Sequence, residues 1–445
     1  MAQSPTGPGP HLSRRGLLRG AAFGAGALAV PGLLAACGGG NSSSSGTTKS
    51  GGSGTNISFG SNYSDPAPKS AFAGLINDAK AATGVTTKIN TTDHNTFQNN
   101  ITSYLQGTPD DLATWFAGFR LQYFAAQGLL SPIDDVWDKI GKNFNDAAKS
   151  LSKGADGHYY LVPLYNYPWV VHYNKSTFAQ KGYEVPTTWD SFIALAKKMK
   201  KDGLTPLAFA DKDLWPALGT FDILNMRING FDYHMKLMQN KGAAYTDKEI
   251  TAVFDHWREL MPYLQSGANG RIWQDAAKTL EAKQAGMMFQ GTNQVAAQYA
   301  TDKKDVKDLD FFAYPEINSA YGQDYMDAPA DGFIMPKKAK NTKGAKKVLE
   351  YIGTPEAETS YLKGDSWDVG LATGLVAPTY NDIQKKSATM IAKQKAVAQF
   401  GDRDTDPAMA TALEHAIQDF IGNPTASNVQ SLQKSLAKQA KSIFG

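Results

Sequence analysis

The chain contains almost no cysteine, and this scarcity limits its covalent chemistry. Cys37 is the single cysteine among 445 residues, so the folded part can form neither an intramolecular disulfide nor a cysteine-based metal site. Acidic and basic residues nearly balance, with 45 Lys and Arg against 42 Asp and Glu and a formal net charge of +3. Arg14, Arg15 and Arg19 supply that excess. The remainder therefore carries no charge bias towards nucleic acid or anionic lipid.

The sequence also lacks the motifs of common enzymes. It has no G-x-S-x-G, no H-E-x-x-H, no G-x-x-x-x-G-K-[ST] and no G-x-G-x-x-G after a predicted strand, and none of its seven histidines pair at i, i+4. We therefore expect no catalytic residues, no cofactor and no metal. A pair of carboxylates for glycoside hydrolysis leaves no sequence signature. A secreted glycosidase consequently stays open as an alternative.

One acidic run, Asp402–Asp406, has the D-x-D-x-D start of a calcium loop. Pro407 stands where such a loop requires glycine, and Leu413 stands where it requires glutamate. The sequence favours a solvated acidic turn here over a calcium site.

The N-terminal segment has the organisation of an export signal. A twin-arginine pair in Ser13–Arg19 precedes the weakly apolar run Ala21–Ala36, which four Gly and Pro residues interrupt. A membrane-spanning helix needs about 20 strongly apolar residues, so this run is too weak to remain in the membrane. Leu34–Cys37 resembles the bacterial lipobox, and residues 37–55 are almost wholly Gly, Ser, Thr and Asn.

We therefore expect residues 1–36 to be an export signal and residues 37–55 to be a lipidated cysteine followed by a flexible linker. Acyl chains on Cys37 would anchor the protein to the outer face of the cell membrane. The export route, twin-arginine or general, stays open.

Beyond the linker, apolar runs alternate with amphipathic helical patterns, which is typical of an α/β fold. Ile57–Gly60, Val85–Asn90 and Asp111–Phe116 read as strands with helices between them, and such βα units favour a parallel sheet. Thr187 is expected to cap a helix, with Asp190 completing a capping box and Trp189 in the core. Further helices are predicted over residues 249–264, 341–352 and 428–443.

Several segments together resemble the bacterial extracellular solute-binding proteins for carbohydrates. The segments are Pro109–Phe116, residues 123–133, Gly157–Pro163, His172–Lys175, Gly182 with Tyr183, Pro186–Phe192, Ala285–Gly291 and Asp331–Asn341. The sequence departs from that family at Asn293, where the family often carries Trp.

This resemblance implies an α/β, two-lobed periplasmic-binding-protein fold, type II-like, with a ligand cleft between the lobes and a helical C-terminal region. Lobe 1 is expected to comprise residues 56–168 and 330–368, and lobe 2 residues 169–329 and 369–445. The resemblance further implies a monomeric, non-enzymatic component of an ABC importer that closes over a mono- or oligosaccharide and delivers it to a membrane permease.

Aromatic residues make up 11% of the chain, and a sugar site needs flat rings beside polar donors and acceptors. The resemblance adds Asp331, in Asp-Gly-Phe, to the candidates. The predicted ligand-binding residues are Trp115, Phe116, Tyr165, Asn166, Tyr167, Trp215, Asn293, Asp331 and Trp367.

A different cargo on the same scaffold, namely a polyol, a sugar phosphate or a polyamine, is the main alternative. A phosphate ligand would need clustered arginines, and the arginines of the folded part are not clustered in the sequence: Arg120, Arg227, Arg258, Arg271 and Arg403.

Overall fold

Two β-sheets organise the part of the chain that the computed structural model describes, residues 55–375 and 380–445. The expected export signal, Cys37 and the linker up to residue 54 lie outside the described residues. The strands are β1 (Asn56–Ser61), β2 (Thr86–Thr91), β3 (Leu112–Phe116), β4 (Leu161–Asn166), β5 (Trp169–Asn174), β6 (Thr205–Ala208), β7 (Ala285–Gly291), β8 (Leu309–Phe312), β9 (Tyr325–Asp327), β10 (Ala330–Ile334), β11 (Val369–Gly370) and β12 (Ala396–Ala398).

Helices surround both sheets. They are α1 (Pro66–Thr83), α2 (His94–Gln106), α3 (Phe119–Ala126), α4 (Asp134–Ile140), α5 (Asp146–Leu151), α6 (Lys175–Lys181), α7 (Trp189–Lys201), α8 (Trp215–Asn229), α9 (Phe231–Met238), α10 (Lys248–Leu260), α11 (Trp273–Glu281), α12 (Thr292–Thr301), α13 (Thr342–Ile352), α14 (Pro355–Gly364), α15 (Asp382–Ala392), α16 (Gly401–Asp404), α17 (Pro407–Gly422) and α18 (Ala426–Phe444). Among the described residues, none of these helices combines the length and the apolar character that a membrane span requires.

The first sheet has the order β11-β4-β10-β3-β1-β2. The strand β1 pairs in parallel with both β2 and β3, which confirms the parallel βα units predicted from the sequence. The strand β10 returns from much later in the chain and lies antiparallel between β3 and β4. Helices α1, α13 and α14 pack together beside this sheet.

The second sheet has the order β6-β7-β5-β8, with β5 antiparallel to both of its neighbours. The chain passes from the first sheet to the second through Tyr167 and Pro168, and it returns between β9 and β10. The strand β9 pairs in parallel with β12 in a separate two-stranded sheet beside this return. The expected first lobe ends at residue 368, but β11 follows at once and pairs with β4, so the first sheet extends beyond that boundary.

The cap of α7 differs by one residue from the expected one. Thr188, not Thr187, accepts a hydrogen bond from the backbone N–H of Ser191, whose side chain completes the capping box. The Thr187 carbonyl instead accepts the backbone N–H of Glu316, and Thr188 itself forms an isolated parallel bridge with Glu316. Trp189 is 7% exposed and donates from Nε1 to Glu259, so its predicted core position is confirmed.

Gly332 lies in β10 at a point where the backbone leaves no room for a side chain. The register of β10 against β4 shifts between Asp331 and Gly332. A Cβ on Gly332 would collide with the carbonyl oxygen of Val162 and would lie 2.8 Å from the Cα of Pro163. Both obstacles are backbone atoms, so a side chain could be accommodated only if the two strands moved apart.

We expect Gly332→Ala to lower the free energy of unfolding by about 1–3 kcal/mol, because overpacking forces a backbone shift. Gly74 is the matched control. It lies exposed in α1 with no atom near its Cβ position, so Gly74→Ala should raise stability by about 0.5–1 kcal/mol. Urea unfolding of both variants checks this pair. Equal stability of the Gly332→Ala variant and the parent chain would contradict the packing argument.

Candidate functional site

A cavity lies where the loops of the first sheet face the helices of the second sheet. It encloses about 580 Å³, including space open to solvent. The loop after β1 and the ends of β4 and β10 contribute from one side, and α11 and α12 contribute from the other. The lining residues are Asn62, Tyr63, Ser64, Asp65, Pro68, His94, Tyr165, Tyr167, Trp273, Asn293, Gln294, Ala297, Asp331 and Asp365.

Tyr165 and Asp331 form the floor of this cavity on neighbouring strands. They are register partners in β4 and β10, and the Tyr165 hydroxyl donates to Asp331 Oδ2 at 3.1 Å. The Tyr165 ring stacks on Tyr361, with centroids 5.3 Å apart. Burial raises the pKa of Tyr165 well above its ordinary value, so its hydroxyl stays protonated and remains a hydrogen-bond donor.

Arg403 joins Asp331 to the rest of the cleft wall. Its Nη1 lies 2.6 Å from Asp331 Oδ1, and its guanidinium lies 3.8 Å from the ring centroid of Phe116. Its Nη2 donates to the Tyr167 hydroxyl at 3.4 Å. Burial opposes the charge of Arg403, but Asp331, Tyr167 and Asp402 more than compensate and raise its pKa. Arg403 is therefore a permanent buried cation that fixes Asp331 and Tyr167.

The acidic run around Arg403 is buried, so the expectation of a solvated turn is wrong. Asp402, Arg403 and Asp404 are 3%, 6% and 3% exposed. Asp402 Oδ2 accepts from Arg120 Nη1 at 3.1 Å and also from Gln98, and the Phe400 ring packs on Trp169 at 4.6 Å. Arg120 and Arg403 thus do come together in space, because both neutralise this run.

The structure brings four of the predicted residues to the cavity: Tyr165, Tyr167, Asn293 and Asp331. Trp215 lines an adjoining cavity of about 330 Å³. Phe116 supports Arg403 from below, since the two are in cation–π contact.

Three predicted residues lie elsewhere. Trp115 is 1% exposed and packs in the core against the rings of Phe116 and Phe124. Asn166 is 8% exposed and does not line the cavity. Trp367 lines a separate surface groove near Lys175 and Tyr380.

Sequence reasoning missed several lining residues, and for two of them a signal existed. Asp65 follows β1 and His94 follows β2, at the carboxyl ends of adjacent parallel strands, where ligand sites form in open α/β sheets. Trp273, Gln294 and Asp365 carried no comparable signal, since they come from separate parts of the chain.

Apart from the ion pair of Asp331 with Arg403, burial favours the uncharged forms of several titratable side chains around the cavity. Burial raises the pKa of the Asp65 and Asp365 carboxyls and lowers the pKa of His94. Nearby Asp368 is fully buried, and neither of its carboxylate oxygens has a hydrogen-bond partner in the described residues. Within those residues no cluster of His, Cys, Asp and Glu is arranged to hold a metal ion. The cavity thus offers polar groups suited to hydroxyls.

Two hydrogen bonds connect the elements on opposite sides of the cavity. Trp215 Nε1 at the start of α8 donates to Asn95 Oδ1 in α2 at 3.2 Å. Gln274 in α11 donates to Asp65 Oδ1 at 3.5 Å. The two sides therefore meet directly in this structure.

We expect Arg403→Met to lower the free energy of unfolding by about 3–5 kcal/mol, because Asp331 would be left as a buried charge without its cation. Lys346→Met is the matched control. It removes a surface pair with Asp135, in which Lys346 Nζ lies 2.7 Å from Oδ2, and should cost at most about 1 kcal/mol. Urea unfolding measures both losses. Similar losses in the free energy of unfolding of the two variants would contradict a structural role for the Arg403–Asp331 pair.

Comparison with known proteins identifies relatives over most of the chain. A family model for bacterial extracellular solute-binding proteins matches residues 63–359. The ABC transporter extracellular-binding protein PH1214 of Pyrococcus horikoshii is 29% identical over 287 residues, which cover 63% of this chain and 62% of that protein. The chain thus spans less than two thirds of that relative. The alpha-glucosides-binding periplasmic protein AglE of Rhizobium meliloti is 24% identical over 387 residues, 81% of each chain.

Solved structures agree with the fold. The bacterial solute receptor AcbH, described as having an exclusive preference for β-D-galactopyranose, matches with a TM-score of 0.86 and 69% identity over 88% of this chain and 100% of AcbH. A chitin oligosaccharide binding protein matches with a TM-score of 0.79 at 20% identity, over 88% of this chain and 99% of that one.

The family match over residues 63–359 includes all four strands of the second sheet and four of the six strands of the first, β2, β3, β4 and β10. Two sheets with a cavity between them are what such a scaffold provides. We conclude that this chain belongs to the bacterial extracellular solute-binding protein family.

Proposed function

We propose that this chain is the substrate-binding component of an ABC importer and that it binds a carbohydrate in the cavity described above. The observation that carries this proposal is the similarity to AcbH, which extends over 88% of the chain at 69% identity. Its reported sugar makes a galactopyranose the first ligand to test.

The lining of the cavity supports a sugar ligand. The rings of Trp273 and Tyr167 offer flat apolar surfaces for the C–H faces of a pyranose. Asp331, Asp365 and Asn293 offer acceptors and donors for its hydroxyls.

We further propose that the two sheets belong to lobes that close over the ligand. Lobe 1 would comprise residues 56–168 and 330–370, extended from the sequence-based boundary to include β11. The contacts between Trp215 and Asn95 and between Gln274 and Asp65 would form on closure, and the closed monomer would be the form that the membrane permease recognises. No bond of the sugar would be made or broken.

We expect D-galactose to raise the melting temperature of the protein and to be recovered unchanged. A saturating ligand at about 100 times its Kd stabilises the folded state by about 2.7 kcal/mol. A melting-shift screen over galactose, glucose, mannitol, galactose-1-phosphate and spermidine, followed by calorimetry, measures this. A shift with spermidine or the phosphate alone would favour the corresponding alternative cargo, and hydrolysis of an aryl galactoside would favour a glycosidase.

In the same assay, Trp273→Ala should weaken sugar binding at least about fivefold, because an aromatic contact contributes about 1 kcal/mol. Tyr263→Ala is the control, since Tyr263 lies away from the cavity with Lys200 over its ring. An unchanged sugar affinity of the Trp273→Ala variant would show that this ring does not contact the ligand.

We also propose that residues 1–36 direct export and that lipidated Cys37 anchors the mature protein to the outer face of the cell membrane. The lipobox-like residues before Cys37 and the Gly/Ser-rich segment after it support this arrangement, because an anchored binding protein needs a flexible linker to reach its permease.

We expect Cys37→Ala to move the full-length protein out of the detergent phase when cells are fractionated with Triton X-114. Without a thiol, no acyl chain can be attached, and the remaining apolar run is too weak to anchor the chain. Ser43→Ala, in the linker, should leave the distribution unchanged. Retention of the Cys37→Ala protein in the detergent phase would point to an anchor other than the lipid.

A further inference from the structure

The cleft is divided into three adjoining cavities. The site cavity of about 580 Å³ shares His94, Tyr167 and Gln294 with a second cavity of about 330 Å³. The second cavity shares Gln98 and Trp215 with a third cavity of about 420 Å³. The three therefore follow one another across the cleft, and Trp215 borders both the second and the third.

The indole of Trp215 is held in place on several sides. It makes an edge contact with Trp169 at 6.1 Å between ring centroids and lies 6.5 Å from Phe400 and 6.3 Å from His94. Its Nε1 donates to Asn95 across the cleft. These contacts fix the ring as a rigid partition.

The backbone before Trp215 is also unusual. Leu214 precedes α8 with φ of +70°, a left-handed conformation that is unfavourable for a residue with a side chain. Strain of this kind persists only where the surrounding structure enforces it, and it is common beside ligand sites. The strained backbone at Leu214 therefore directs α8, and with it Trp215, into the cleft.

Trp215 differs from a residue that only fills a core. It is half-buried, its polar atom bonds to the opposite side of the cleft, and open space adjoins it in two directions. Removal of the ring would therefore join existing cavities instead of leaving a sealed void.

The third cavity has the chemistry of a sugar subsite. Its lining includes Asn95, Asn99, Asp213, Thr411 and Glu414. These side chains offer hydrogen-bond donors and acceptors for the hydroxyls of a sugar. The face of Trp215 that borders it is a flat apolar surface. A second sugar ring would find the same types of partner here as the first ring finds in the site cavity.

We propose that Trp215 limits the ligand to a single sugar ring by separating the site cavity and its neighbour from a latent second sugar subsite. This inference rests on the proposed function, since it concerns the length of the carbohydrate that the same cleft accepts. The gate is steric: an oligosaccharide that enters the first cavity meets the indole before it reaches the polar groups beyond.

The experiment compares the purified full chain with its Trp215→Ala and Trp215→Phe variants. Isothermal titration calorimetry with D-galactose and with β-1,3-, β-1,4- and β-1,6-linked galactobiose gives the ratio of disaccharide to monosaccharide Kd. We expect the ratio for at least one linkage to fall tenfold or more in Trp215→Ala. Trp215→Phe keeps a ring but loses the hydrogen bond to Asn95, so it should retain the preference for the monosaccharide.

The outcomes separate this inference from the proposed function. If the wild-type protein binds galactose and a folded Trp215→Ala variant binds galactose but still no galactobiose, the gate is overturned while sugar binding stands. If the wild-type protein already binds galactobiose as tightly as galactose, the gate is overturned as well. If the wild-type protein binds none of these sugars and the melting-shift screen finds no other sugar ligand, the proposed function itself fails. Trp215→Leu, which keeps more apolar volume, replaces the alanine variant if circular dichroism shows that the latter is unfolded.

Discussion

The ion pair between Arg403 and Asp331 is the interaction on which the cleft depends. Two charges removed from water are costly unless they are matched closely. Here Arg403 lies 2.6 Å from Asp331, with the Phe116 ring against the guanidinium and the Tyr167 hydroxyl beside it. The pair connects α16 to β10, and Asp331 in turn accepts a hydrogen bond from the Tyr165 hydroxyl. Arg403 thus sets the positions of the Asp331 carboxylate, the Tyr167 hydroxyl and the Phe116 ring. The site is therefore ordered before any ligand arrives.

The same region has to bend as well as hold its shape. Two connections cross between the sheets, at Tyr167 and Pro168 and between β9 and β10, and β12 runs parallel to β9 beside the second of them. The hydrogen bonds from Trp215 and Gln274 lie at the margin of the cavity. Each such bond contributes only about 0.5–1.5 kcal/mol, so these two could break on opening without unfolding either sheet. The buried pairs of α16, Arg403 with Asp331 and Asp402 with Arg120, hold the region between the sheets more firmly.

The sequence predicted the elements better than it predicted the site. Periodicity located β1 to β3 and the helices between them, because each of those patterns is local. The sequence-based cap of α7 is one residue too early, because two adjacent threonines can both cap, and the pairing of Thr188 with the distant Glu316 leaves no local pattern. Asp402 and Arg120 are 282 positions apart, so no local pattern reveals that they meet. Trp115 and Phe116 are neighbours in one strand, and only the packing shows that the second faces Arg403 while the first lies in the core.

The charge state of the cavity argues for an uncharged ligand. Arg403 is already neutralised by Asp331, so it is not free to bind a phosphate. Burial raises the pKa of Asp65 and Asp365, which disfavours the ionised carboxylates that a polyamine would need. His94, whose pKa burial lowers, is neutral at physiological pH. Each of these groups still donates or accepts hydrogen bonds, and together they suit a ligand whose polarity comes from hydroxyls alone. The proposed preference for a sugar over a charged cargo therefore rests on desolvation as much as on the shape of the cavity.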